Sequence, residues 1–188
     1  MAQGLQPMVK AILILDQEGH RIAAKFFAPQ FERNQPACQR VIDSLAGKVM
    51  PSTRTESDVL MVDDAIAIFR GGPDTLFFVL GDEDENEVFL AAVLDGLVDS
   101  LGSLLRGQID RRTLLDNLAL VLLTIDEICD SGVVLETDAG AIASRVLMRS
   151  PQGQLPAGEV PLSELTLSQA FVSARQQFLK SMAQQSFN

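Results

Sequence analysis

Apolar and polar residues alternate in blocks along this chain, and the blocks predict its elements. Residues 9–15 form a nearly continuous apolar run rich in strand-formers, and residues 21–27 form a second extended run. Between them lies a short polar segment, Asp16-Gln17-Glu18-Gly19-His20. Two such runs joined by a glycine-containing turn predict a β-hairpin. A hairpin start commits the chain to an antiparallel sheet, because parallel neighbours need a long crossover. It argues against a nucleotide-binding strand–loop–helix start. The first run has almost no polar residue, which predicts a strand covered on both faces, inside a sheet with helices on each side.

Residues 35–46 predict a helix. Pro36 suits its first turn, Val41, Ile42 and Leu45 form its stripe, and Gly47 predicts a left-handed stop. Residues 51–57 predict a loop. Three strand-like runs come next at 59–62, 65–69 and 75–80, separated by the turns Asp63-Asp64 and Gly71-Gly72-Pro73-Asp74. A long helix is predicted over 84–106, with Leu90, Leu94, Leu97, Leu101 and Leu104 on one face. A second is predicted over 111–130, with Leu114, Leu118, Val121, Ile125 and Ile128 as its stripe. Gly132 predicts its cap, 133–135 a short extended stretch, and Asp138 the cap of a helix over 139–148. Three prolines and two glycines within 150–161 predict a flexible connector. Residues 163–182 predict a last helix, with Leu167, Phe171, Ala174 and Phe178 on one stripe. The element order predicts an α+β fold, a five-stranded antiparallel sheet with helices on both faces. It occupies residues 1–149, with a connector at 150–162 and a C-terminal helix and tail at 163–188.

Composition narrows the class. A chain of 188 residues, 47% of them hydrophobic, can bury one sizeable core. Its net charge of -10 and lack of any dense Lys or Arg run argue against direct binding to nucleic acid or anionic lipid. Cys38 and Cys129 stand far apart in no metal or redox spacing, which predicts reduced thiols. No signal peptide is expected before Val9. The longest apolar stretch, 88–105, carries Asp95 and Asp99 and predicts a buried helix rather than a membrane span. Neither a myristoylation nor a prenylation signal is read at the ends.

Candidate chemistry is sparse. His20 is the one histidine, so a nucleophilic triad would have to use it and a multi-histidine metal site is excluded. Its place in a hairpin turn predicts a solvated loop residue. Residues 82–87 begin like a calcium loop, but Glu87 stands at the glycine position and Val93 at the closing acid. Acidic residues at a helix start, with Asp82 or Asp84 as the cap, are the better account. Asp126, Glu127 and Asp130 suggest paired carboxylates for glycoside hydrolysis. The chain has no Trp and no Tyr to stack a sugar, and an ion pair with a basic residue elsewhere is expected instead. Gly71-Gly72 lacks the Lys-Ser/Thr ending of a phosphate loop and joins two strands. No catalytic residue, cofactor or metal is expected; function should lie in a surface.

The residues then resemble a known family. Val9-Lys10-Ala11-Ile12-Leu13-Ile14-Leu15-Asp16, with Gly19, Arg21, Ala24-Lys25 and the two aromatics after them, is similar to the first hairpin of coatomer zeta subunits. The resemblance continues through Glu85-Asn86-Glu87, Ala92-Val93-Leu94, Asp99-Ser100-Leu101, Arg112, Leu114-Leu115 and Asn117. Asp126-Glu127-Ile128, Asp130, Gly132, Glu136-Thr137-Asp138, Val160-Pro161-Leu162, Thr166 and Ser168-Gln169 carry it on. The stretch with Asp126-Glu127, Gly132 and Glu136-Thr137 is similar also to the sigma chains of clathrin adaptors; the amino-terminal strand and Val160-Pro161-Leu162 favour zeta.

The resemblance implies a longin-like fold and a non-enzymatic small subunit of the COPI vesicle coat, paired with the large gamma subunit. It implies a cytoplasmic coat recruited to Golgi membranes by an Arf-family GTPase, working in Golgi-to-ER retrograde and intra-Golgi transport. The missing tyrosines of the hairpin, the Pro- and Gly-rich connector and the tail after Lys180 depart from the family pattern. The alternative is a sigma-type chain contributing to a dileucine sorting-signal pocket near residues 113–118, where Asp116 introduces a charge. A longin-domain SNARE would need a heptad helix and an anchor further on. An enzyme would have to use His20 or the Asp126 cluster. The stripe Leu167, Phe171 and Phe178 is the candidate partner contact, with folding back on its own domain as the other reading.

Overall fold

The fold grows from β1 (Ala11–Asp16), which is buried at every position. In a computed structural model, which describes residues 9–49 and 56–149, β1 pairs antiparallel with β2 (Arg21–Phe26) on one side and β5 (Thr75–Asp82) on the other. β4 (Ala65–Gly71) joins β5 to the edge strand β3 (Asp58–Val62), giving the order β2-β1-β5-β4-β3. This is the expected five-stranded antiparallel sheet. Side chains alternate across it with period two. Ile12, Ile14, Ile66, Ile68, Phe77 and Val79 share one core. Leu13, Leu15, Phe69, Leu76, Phe78 and Leu80 share another on the opposite face. The continuous apolar run of β1 therefore has its physical cause: both of its faces leave water.

Helices cover the two faces unequally. α1 (Gln35–Lys48) lays Val41, Ile42 and Leu45 on the second core. α2 (Glu87–Leu104), α3 (Arg111–Asp116), α4 (Leu118–Ile128) and α5 (Ala139–Arg149) lie with the first, through Leu90, Val93, Leu94, Leu97, Leu114, Val121, Ile125, Ile142 and Val146. β6 (Cys129–Asp130) and β7 (Val133–Val134) form a separate two-stranded ladder between α4 and α5.

Several local expectations are corrected. α1 does not stop at Gly47; it continues to Lys48 and ends at Val49, whose side chain is buried in the second core. The start of α2 is capped by Asn86, which accepts from the Val88 and Phe89 amides, not by Asp82 or Asp84. Asp82 ends β5 instead, where Lys10 pairs with it at 2.6 Å. The helix expected over 111–130 is two helices broken at Asn117 (φ −117°, ψ 30°). The Asn117 side-chain amide donates to the Thr113 carbonyl at 2.8 Å, and Leu114 and Val121, on either side of the break, both reach the core. Gly132 caps no helix. With Ser131 it makes the two-residue turn between β6 and β7, at φ 51° and 85°, the left-handed pair that a tight hairpin requires. Asp138 does cap α5, accepting from the Ala141 amide at 2.8 Å. The expected connector at 150–162, the helix after it and positions 51–55 of the expected loop lie outside the described residues.

The edge strand β3 is blunted by side chains. Its Val59 amide donates to the Asp58 carboxylate at 2.9 Å, and Lys48 Nζ donates to the Met61 carbonyl at 2.7 Å. Charged groups on edge main chain oppose pairing with another strand.

The two cysteines differ in environment. Cys129 is fully buried, and burial pushes its thiol up to about 11. Cys38 is half-buried. At pH 8 iodoacetamide is expected to alkylate Cys38 alone in the native chain and both after unfolding, read by intact mass. Rapid native labelling of Cys129 would contradict this packing.

Candidate partner interface on α3 and α4

α4 carries no charged residue from Leu118 through Ile125. Its inner side, Val121, Ile125 and Ile128, is fully buried. Thr124 is buried with them and satisfies its hydroxyl by donating to the Leu120 carbonyl at 2.9 Å. The outer side is also apolar. Leu115 at the end of α3 is 43% exposed and Leu122 39%, with Ala119 exposed between them. A helix that is apolar all round belongs in an interior, yet this outer side is open among the described residues. The charges at the two ends of the stripe are paired within the chain. Arg112 meets Asp116 at 3.8 Å, and Asp126 pairs with Lys25 of β2, whose ammonium lies 5.5 Å from the Phe27 ring centre.

A polar network sets where α3 begins. Asp110 caps it, accepting from the Thr113 amide at 3.0 Å and the Thr113 hydroxyl at 2.7 Å, bonds that hold the Asp110 carboxyl below the usual range. Asp74 accepts from the Arg111 amide at 2.8 Å, and the Thr75 hydroxyl donates to the Ile109 carbonyl at 3.1 Å. Asp16 is the buried centre. Its Oδ1 accepts from the Glu18 and His20 amides at 3.0 and 2.7 Å. Its Oδ2 lies 3.2 Å from His20 Nδ1 and 3.3 Å from Arg111 Nε. The first hairpin turn and the start of α3 are thus tied through one carboxylate.

The sequence candidates fall into place around this frame. His20 is 75% exposed at its side chain, as a loop residue should be, and its ring faces Asp16. Asp16, Glu18 and His20 bring three donor atoms within 4.8 Å, but Asp16 already serves two amides and Arg111, so the group works as a capped turn. Asp126 has the basic partner expected of it, Glu127 is buried, and Asp130 accepts from the Ser131 hydroxyl at 3.2 Å. Among the described residues the three carboxylates form no ion-binding group. Gly71 ends β4, and the Gly72 amide donates to the Thr75 carbonyl, closing a turn between strands. Leu167, Phe171 and Phe178 lie outside the described residues. Sequence reasoning ranks Leu114, Leu118 and Val121 as the stripe and misses the outward Leu115 and Leu122. The uncharged run 118–125 is the signal for them.

A shallow cleft of about 320 Å³ lies between the start of α1 and the β3–β4 turn, with Phe31, Val41 and Leu80 in its lining. Its Lys10 is engaged by Asp82 and by the Asp64 carbonyl at 3.0 Å. Among the described residues no helix is long and apolar enough to cross a membrane.

Comparison with known proteins gives this arrangement a relative. The profile of the clathrin adaptor complex small chain family matches residues 8–152. The chain is 41% identical over 180 residues to coatomer subunit zeta-1 of Arabidopsis thaliana, covering 95% of this chain and 98% of that one. It is 36% identical over 143 residues to coatomer subunit zeta-1 of Homo sapiens, covering 75% and 77%. Among structures, it superposes on a chain of a homology model of the full-length AP-3 complex in a stretched open conformation. The TM-score is 0.55 at 18% identity, over 74% of this chain and 91% of that one. That likeness bears on the fold, and it agrees with the longin-like, adaptor small-chain arrangement of sheet and helices. With the family profile spanning the whole described fold and zeta relatives aligned over most of the chain, the chain belongs to the clathrin adaptor complex small chain family, among its coatomer zeta subunits.

Proposed function

We propose that this chain is the non-enzymatic small subunit of a COPI-type vesicle coat and that it pairs with the large gamma subunit. The observation that carries the reading is the zeta match over 95% of this chain and 98% of its Arabidopsis relative. The mechanism is binding alone: the small subunit packs against the large one and stabilises its fold. An Arf-family GTPase brings the assembled coat to the Golgi membrane, where it serves Golgi-to-ER and intra-Golgi transport. The chain then acts from the cytoplasm, on the membrane only through the coat, in keeping with a net charge of -10 that disfavours contact with anionic lipid.

Co-expression with a coatomer gamma subunit, followed by size-exclusion chromatography, tests this. Co-elution is expected. Separate elution, together with retention by a clathrin-adaptor large chain, would replace it with the sigma reading. That second reading draws on the fold shared with an adaptor chain. Against it, in the 113–118 stretch Leu114 is fully buried and the exposed Asp116 is paired with Arg112. The stripe Leu167, Phe171 and Phe178 is proposed as an additional contact with gamma. In the same experiment Phe171→Asp with Phe178→Asp should weaken co-elution while leaving the circular dichroism unchanged.

A further inference from the structure

We draw no further inference here: the strongest candidate, the shallow cleft between the start of α1 and the β3–β4 turn, sets Asp63 and Asp64 against Lys10 and Arg40 in its lining, a balance of charge that selects no one occupant, and nothing in the structure shows what covers it.

Discussion

Gly96→Val is expected to destabilise the chain by about 3 kcal/mol or more, at the upper end of the cost of overpacking. Gly96 lies inside α2, where glycine is itself worth about 1 kcal/mol less than alanine. Its presence needs a packing reason, and the structure supplies one. A Cβ built at Gly96 would stand 2.6 Å from the Thr137 carbonyl oxygen and 3.3 Å from two further main-chain atoms of Thr137. A side chain in the way can turn aside, but main chain cannot without moving the residues after it. Thr137 immediately precedes Asp138, the cap of α5, and Ile142, Ala143 and Val146 of α5 are buried. The clash is therefore transmitted to the whole of α5. Gly96→Ala should cost about 2 kcal/mol by the same argument. Gly102, further along α2, has nothing within 4 Å of its built Cβ, so Gly102→Ala should be stabilising by up to about 1 kcal/mol. Urea melts of the three variants measure this. For a chain of this size 3 kcal/mol corresponds to a Tm fall of roughly 10 °C. Equal stabilities for Gly96→Ala and wild type would refute the close approach of α5.

Asp16→Ala is expected to cost about 3 kcal/mol, the upper scale for losing hydrogen bonds made to a charged group, here a buried carboxylate. Three donors depend on this carboxylate: the Glu18 and His20 amides and the Arg111 side chain. Alanine leaves two turn amides without their acceptor and an arginine facing a carboxylate-shaped gap. Asp16→Asn keeps an oxygen for the amides but loses the charge toward Arg111, and should fall between. His20→Ala should be milder than either, since its ring is largely in water. Because the lost bonds hold the start of α3, amide hydrogen exchange should rise in α3 before it rises in β5. A uniform rise across the molecule would mean that Asp16 supports the fold as a whole and does not act on α3.

Local chemistry made much of this molecule legible in advance. The hairpin of β1 and β2, the three strands after α1 and the inner stripe of α2 arise from periods of two and 3.6 residues. What misled was also local. Gly47 and Gly132 look alike as helix stops, yet one is passed through because Val49 gains a buried place, and the other serves a hairpin turn. Asp82 and Asp84 look like caps for α2, but Lys10 claims the first from another part of the chain. Asn117 breaks a helix that its apolar stripe would continue. The resemblance to coatomer zeta was readable for a different reason: it rests on ordered residue identities and needs no knowledge of contacts.

By itself, then, the sequence determined the antiparallel α+β class, the order of elements and the kinship, because each is written in periodicity or identity along the chain. The tertiary structure alone decided three things. It showed that Gly96 touches the entry to α5, that Asp16 binds Arg111, and that the apolar outer side of α4 is left open among the described residues. All three depend on which distant segments meet. Hydrophobic pattern says that a residue should leave water, but only packing decides whether its own chain provides the cover.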